Sequence, residues 1–248
     1  FSARRGFCLA QRRQAGLLEE MNRRSVLIVC LTAVLLLAQI GRSEPKPAPT
    51  IRKGKDIVVY QDDKFYSAFP SIVRRRDGEL IVAFRRAPER RLLGEKNISH
   101  TDANSYLVLV RSRDDGQTWS AAPELIYAHP FGGSQDPCMV QLRDGTLVCT
   151  SYGWTLLNPD YAARMANASL HRNFGFLGGY VLRSKDAGKS WQGPWLPPHI
   201  SSDPTTDIFG QPVPAYNRGA MCEGKDGRLY WVVAASTGPK PWRSETHL

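Results

Sequence analysis

The sequence predicts an all-β protein built as a β-propeller, with about three blades present. Three observations carry this. From about Asp56 onward, short runs rich in β-branched and aromatic residues alternate with turn signals, and no stretch sustains a helical period. Three hairpin-like units recur: "FPSIVRRRDGELIVAFR" (69–85), "DPCMVQLRDGTLVCTSY" (136–152) and "GAMCEGKDGRLYWVVAAS" (219–236). A turn signature, Ser-x-Asp-x-Gly-x-Thr/Ser-Trp, occurs at "SRDDGQTWS" (112–120) and again 72 residues later at "SKDAGKSWQ" (184–192).

The elements follow in order. The first Met is Met21, and "MNRRSVLIVCLTAVLLLAQIGRSEP" begins there. Arg23 and Arg24 make a basic start, 26–40 is apolar, and Gly41-Arg42-Ser43 is a small-x-small triplet. Residues 1–43 therefore read as upstream sequence plus a secretory signal peptide cleaved near Ser43. The alternative is a membrane anchor, but the apolar run is shorter than the ~20 residues a span requires. The expectation is a secreted, extracellular or periplasmic protein with no stable membrane insertion after cleavage. Residues 44–55 open with "EPKPAPT" and read as a Pro-rich linker. Residues 56–248 are the propeller segment.

Within that segment each unit supplies a strand, an Asp-Gly turn and a second strand. After the first two units come a loop, a third strand ("SYLVLVRS" or "GGYVLRS"), the signature turn and a short fourth strand such as "APELIYA" (122–128). Four strands in ~70 residues suit a propeller blade; a sandwich or a β-helix is the alternative. By the same register "WRSETHL" (242–248) enters the third strand of a third unit. The expectation is an incomplete propeller whose open edge favours association.

Charge narrows the function. The net charge is +10, but residues 1–43 hold seven Arg and two Glu, so the remainder is only mildly basic at +5. No compact basic stripe interleaved with aromatics appears, which argues against nucleic acid. Of five cysteines, Cys8 and Cys30 lie in the leader. The other three, Cys138, Cys149 and Cys222, cannot all pair within one chain and match no zinc spacing. Cys138 and Cys149 flank one hairpin turn, so they form either a bridge or two thiols packed as small hydrophobes. No metal and no cofactor are expected. Asn97-Ile98-Ser99 and Asn167-Ala168-Ser169 are glycosylation sequons.

The signature turn has a structural job for each residue: Ser112, Asp114, Gly116, Thr118 and Trp119, then Ser184, Asp186, Gly188, Ser190 and Trp191. Asp accepts backbone N–H groups within its own turn, Gly permits a left-handed residue, the hydroxyls tie the turn ends, and Trp packs between strands. A calcium loop would need alternating carboxylates and a distant bidentate Glu. The second copy has Ala187 where the first has Asp115, so only Asp114 and Asp186 belong to the pattern.

This repeat resembles the Asp box of sialidases and related BNR-repeat propellers. The resemblance spans 56–248 and implies a six-bladed propeller. It also implies an exo-acting glycoside hydrolase that cleaves terminal sialic acid or a related sugar. The alternatives are a non-catalytic propeller that binds glycan or protein, and a glycosidase for a different sugar. In such propellers ligands meet the channel at one rim, here 66–70, 85–104, 133–137, 151–178, 216–219 and 236–245. Asp102 precedes "ANSY" and "LVLVRS" with the spacing of the family's acid/base Asp, which protonates the leaving oxygen. Arginines would hold the sugar carboxylate bidentately: Arg85, Arg86 or Arg90, with Arg218 in "YNRGAM". Asp136 takes the polar position of a site-lining "NPC"-like stretch. Tyr152 and Trp154 are either sugar-stacking platforms or packing residues, and His100 reads as a surface or loop-ordering residue rather than a proton shuttle. One residue departs from the pattern: Ala68 in "YSAFPSIV" stands where the family has an Arg. The family's Tyr nucleophile and Glu partner would fall in later blades.

Overall fold

The three Asp-Gly hairpins close in the same way. Gly78 N–H donates to Arg75 O (2.9 Å) and Arg75 N–H to Glu79 O (2.8 Å). The same pair of bonds joins Leu142 with Gly145 and Thr146, and Gly224 with Gly227 and Arg228. Gly78, Gly145 and Gly227 sit at φ of +89°, +90° and +81°, the left-handed step that this three-residue loop requires. Asp77, Asp144 and Asp226 each accept the backbone N–H two residues on.

The computed structural model describes residues 51–95, 100–165, 168, 170–171, 173–237 and 243–248. The leader expected at 1–43, the start of the expected linker, Asn97 to Ser99, and Asn167 and Ser169 lie outside the described residues. The chain divides into two units between Lys55 and Asp56. In the first, 51–55 are exposed and without regular structure.

In the second unit, strands β1 (Phe65–Arg74), β2 (Leu80–Pro88), β3 (Tyr106–Ser112) and β4 (Glu124–Tyr127) form an antiparallel sheet in that order. The second sheet comprises β5 (Gly133–Ser134), β6 (Cys138–Gln141), β7 (Leu147–Leu156), β8 (Leu170–His171), β9 (Phe174–Ser184) and β10 (Gln192–Trp195). Here β5 and β6 both pair with β7, followed by β9 and β10, while β8 pairs with β9. Further on, β11 (Cys222–Glu223) pairs with β12 (Leu229–Tyr230), and β13 (Val233–Thr237) pairs with β14 (Arg243–His247). The continuous second strand expected in this unit is broken between Tyr230 and Val233. Side chains cross the gap: Trp231 Nε1 donates to Gly219 O (3.0 Å) and Asn217 Nδ2 to Val232 O. Among the described residues the structure is thus all-β apart from short helical turns, built of several antiparallel sheets.

Strand alternation sorts the side chains into layers. Ile81 and Ala83 of β2 and Leu107 and Leu109 of β3 pack with Met139, Leu147, Cys149, Tyr180 and Leu182 of the second sheet. The intervening residues Val82, Phe84, Val108 and Val110 pack on the opposite face with Tyr60, Tyr106 and Trp119. A third cluster joins Tyr152 and Phe176 to Val213, with Trp154 and Tyr216 against it. The same alternation settles the cysteines. Cys138 pairs with Thr150 and Cys149 with Met139, so the two thiols point to opposite faces and are free.

The two signature turns share the same Ser-Asp-Gly bonds, while the Trp119 indole N–H donates to Gly116 O and the Trp191 indole N–H has no partner among the described residues. Asp114 Oδ1 accepts from Ser112 Oγ (2.8 Å) and Thr118 N (2.9 Å), and Oδ2 accepts from Thr118 Oγ1 (2.6 Å). Asp186 repeats this with Ser184 and Ser190. Gly116 N and Gly188 N donate to Ser112 Oγ and Ser184 Oγ. The Thr118 hydroxyl and N–H, with Ser112, hold the Asp114 carboxyl down at about 2, and Asp186 is held lower still by the matching Ser190 and Ser184 groups. Both oxygens of each Asp are occupied within the turn. Arg111 ties the two sheets at this end: it donates to Glu124 (2.6 and 2.9 Å), Glu79 (3.1 Å) and Ala187 O (2.8 Å).

Candidate active site

Counting from the hairpin turns brings equivalent residues together. Six positions before Arg75, Leu142 and Gly224 stand Phe69, Asp136 and Arg218; ten positions after stand Arg85, Tyr152 and Ala234. All lie at the rim opposite the Asp-Gly turns, and several of them meet.

Arg85 is the hub. It shares the face of Ile81 and Ala83, pairs across the ladder with Ala68 and is fully buried. Its guanidinium lies 5.4 Å from the Tyr66 ring centroid and 5.2 Å from that of Phe69. Nη1 donates to His100 O and to Gln135 Oε1 (2.9 Å). Burial pulls its pKa down, against the fields of Tyr66, Asp102, Asp136 and Tyr152. Phe69 is held at φ +59°, where β1 shifts register between Ala68 and Ser71, and its ring meets His100 edge-on at 4.9 Å. A bulky side chain at positive φ is an outlier of the kind that gathers at functional sites.

Asp102 is buried on the loop between β2 and β3. Arg90, on the short 3-10 turn Arg90–Leu93, grips it with Nε (2.8 Å) and Nη2 (2.9 Å), and Asn104 N donates to Oδ1 (2.8 Å). Burial opposes its charge, but the Arg90 and Asn104 bonds and the field of Arg85 outweigh that, so its carboxyl lies below the usual carboxylate range. The second sheet closes over it: Ser105 Oγ lies within hydrogen-bond reach of both Asp102 O (2.8 Å) and Ser134 O (2.6 Å), its single proton serving one at a time, and Tyr180 OH donates to Ser134 Oγ (2.7 Å). Only glycine fits at 133, because a Cβ there would stand 1.7 Å from Asp102 O.

Asp136 and Gln135 occupy the break between β5 and β6, ahead of Pro137. Asp136 Oδ2 accepts from Tyr152 OH (3.0 Å) and faces Arg218 Nε at 3.3 Å, while Arg218 lies 5.8 Å over the Tyr152 ring. Asp136 Oδ1 and Gln135 Nε2 are buried, with no hydrogen-bond partner among the described residues.

The structure therefore gathers Arg85, Arg90, Asp102, Asp136, Tyr152 and Arg218. Two sequence candidates stand elsewhere. Arg86 follows Arg85 by one position and so faces the other side. There it lies 3.5 Å over the Phe65 ring and donates to Tyr106 OH (3.1 Å) and Asp62 Oδ2. Trp154 packs on Phe176 at 4.7 Å, and Tyr152 is 2% exposed, so its ring presents no face for stacking a sugar. Sequence reasoning missed Tyr66, Phe69 and Gln135, although all three lie in windows it marked as rim. Among the described residues, no group of three His, Cys, Asp or Glu side chains could hold a metal ion.

A protein of unknown function from Dyadobacter fermentans is 54% identical, with a TM-score of 0.75 over 79% of this chain and 54% of that one. A Hadza microbial sialidase matches at 17% identity and TM-score 0.47, over 73% of this chain and 34% of its own. A family 117 glycoside hydrolase from Zobellia galactanivorans matches at 12% identity and TM-score 0.47, over 75% and 52%. In structure the chain is similar to sialidases and other propeller glycoside hydrolases over about 75% of its length. It spans about half the length of the Dyadobacter protein. No family model and no curated protein matches it.

Proposed function

We propose that this chain carries part of the active site of a glycoside hydrolase, and that its ligand is a carbohydrate. One observation carries the reading: two buried carboxylates, Asp102 and Asp136, both within electrostatic reach of the buried Arg85 at one rim. Glycoside cleavage commonly uses a carboxyl pair, one member of which protonates the leaving oxygen. Asp102 takes the acid/base role. Arg90 keeps it ionised at rest, so donating a proton requires Arg90 to withdraw. That is open to a residue on a short turn whose other ion-pair partner, Glu95, is exposed and 3.5 Å away. Exo-cleavage of a terminal sugar and export through the leader at 21–43 belong to the same proposal, as does the assignment of the β1–β4 sheet and the β5–β10 sheet to one blade each of six.

The Arg90 clamp also favours a second reading, a propeller that binds glycan without cutting it. Turnover of aryl glycosides decides between them. Under the hydrolase reading Asp102→Ala lowers kcat/KM at least ~100-fold, the usual size of a general-acid contribution. Undiminished turnover in Asp102→Ala removes Asp102 from the mechanism, and glycan binding without turnover in the wild type leaves the binding reading.

A further inference from the structure

We infer that the sugar held at this site is uncharged, and that Asp136 and Gln135, not the arginines, grip its hydroxyl groups. The inference rests on the carbohydrate reading above and names the substrate class of that same site.

An anionic sugar needs guanidinium N–H groups pointed at its carboxylate, preferably in pairs. The arginines here already face protein acceptors. Arg90 gives its paired edge to Asp102 at 2.8 and 2.9 Å. Arg218 Nε faces Asp136 at 3.3 Å. Arg85 lies fully buried between the rings of Tyr66 and Phe69, donating to His100 O and Gln135 Oε1. The residue directly across the ladder from Arg85 is Ala68, which adds no charge to that face. A sugar carboxylate would have to displace Asp102 from Arg90, or bind the exposed Arg218 beside Asp136, and in either case would sit next to a like charge.

The groups left over suit a hydroxyl. Asp136 Oδ1 is an acceptor and Gln135 Nε2 a donor, on adjacent residues. Asp136 is 7% exposed and Gln135 1%, and neither atom has a hydrogen-bond partner among the described residues. Buried polar groups are rarely left so without a reason. A sugar hydroxyl both donates and accepts, so it suits either group. A carboxylate only accepts, and Asp136 would repel it.

The test uses the full-length protein and a set of 4-nitrophenyl glycosides. Galactose, glucose, fucose and arabinose derivatives are compared with those of N-acetylneuraminic and glucuronic acid. The corresponding free sugars are titrated calorimetrically, so that binding is read even without turnover. At least one neutral sugar should be preferred over both acidic ones by about 100-fold, the factor expected from losing a charge-assisted hydrogen bond and gaining a like-charge contact. Asp136→Asn and Gln135→Leu should each weaken that neutral sugar by about 10-fold or more. N-acetylneuraminate or glucuronate bound or cleaved as well as any neutral sugar overturns the inference and leaves the carbohydrate reading standing. Neutral sugars bound but not cleaved support the inference and remove only the hydrolysis. No binding of any sugar overturns both, and full neutral-sugar affinity in both variants overturns the assignment of Asp136 and Gln135.

Discussion

A methyl group at Gly133 would wedge the second sheet away from Asp102. Gly133 is not among the positive-φ glycines, so Gly133→Ala carries no penalty for a left-handed backbone and acts through sterics. The added Cβ would lie 1.7 Å from Asp102 O and 2.5 Å from Ser105 Oγ, where ordinary contact starts at 3.4 Å. One neighbour is backbone, so the strands themselves must part. Overpacking of this kind costs typically about 1–3 kcal/mol. Parting also stretches Ser105 Oγ→Ser134 O (2.6 Å) and Ser134 N→Ser105 O (3.0 Å), each worth about 0.5–1.5 kcal/mol. A loss of about 2–6 kcal/mol corresponds to a fall of roughly 4–24 °C in Tm for a chain of this size. Thermal melts followed by circular dichroism measure it. Gly145→Ala is the matched control: Gly145 has φ +90° and open space around it, so its loss is the torsional cost alone, about 1–2 kcal/mol. If Gly133→Ala melts within a degree or two of the wild type, the two sheets are not seated on each other at Asp102 as described.

Two further outcomes follow from the charges. Asp102 and Asp114 both have carboxyls below their ordinary values, that of Asp114 at about 2, so the folded state favours their ionised forms. Their contribution is complete above the unfolded value near ~4 and is lost as pH falls through the folded values. Urea midpoints should hold level from about pH 7 to 5 and decline below about 4, with Asp114→Asn showing a shallower decline; a level profile down to pH 2 contradicts this. Arg86→Met should lower stability by about 1–2 kcal/mol through the lost Phe65 stacking and Asp62 pair, yet leave glycan affinity within about twofold. A tenfold loss of affinity in Arg86→Met would place Arg86 in the site after all.

Local chemistry made much of this chain legible before any coordinates. A turn is decided by a few neighbouring residues. The Asp-Gly loops and the Ser-x-Asp-x-Gly-x-Thr/Ser-Trp turns could therefore be read from their residue types, and the hydrogen bonds of Asp114 and Asp186 stay within their own loops. Strand order followed, because consecutive antiparallel strands joined by such turns pair with their neighbours. In the third unit that local reading failed: Trp231 and Asn217 replace ladder bonds with side-chain bonds across the gap, which no period-2 pattern announces.

The sequence by itself determined which residue types line the rim, including the arginines and the two aspartates. Only the tertiary structure decided what each of them does, because partner choice depends on strands far apart in the chain. A one-residue step turns Arg86 away from Arg85, and the same alternation separates Cys138 from Cys149. The 3-10 turn carries Arg90 onto Asp102, and the interrupted inner strand of the second sheet brings Gln135 to Arg85, fifty positions away. Charge type is a property of a residue, but whether that charge is still available to a ligand is set by which neighbour the fold brings to it.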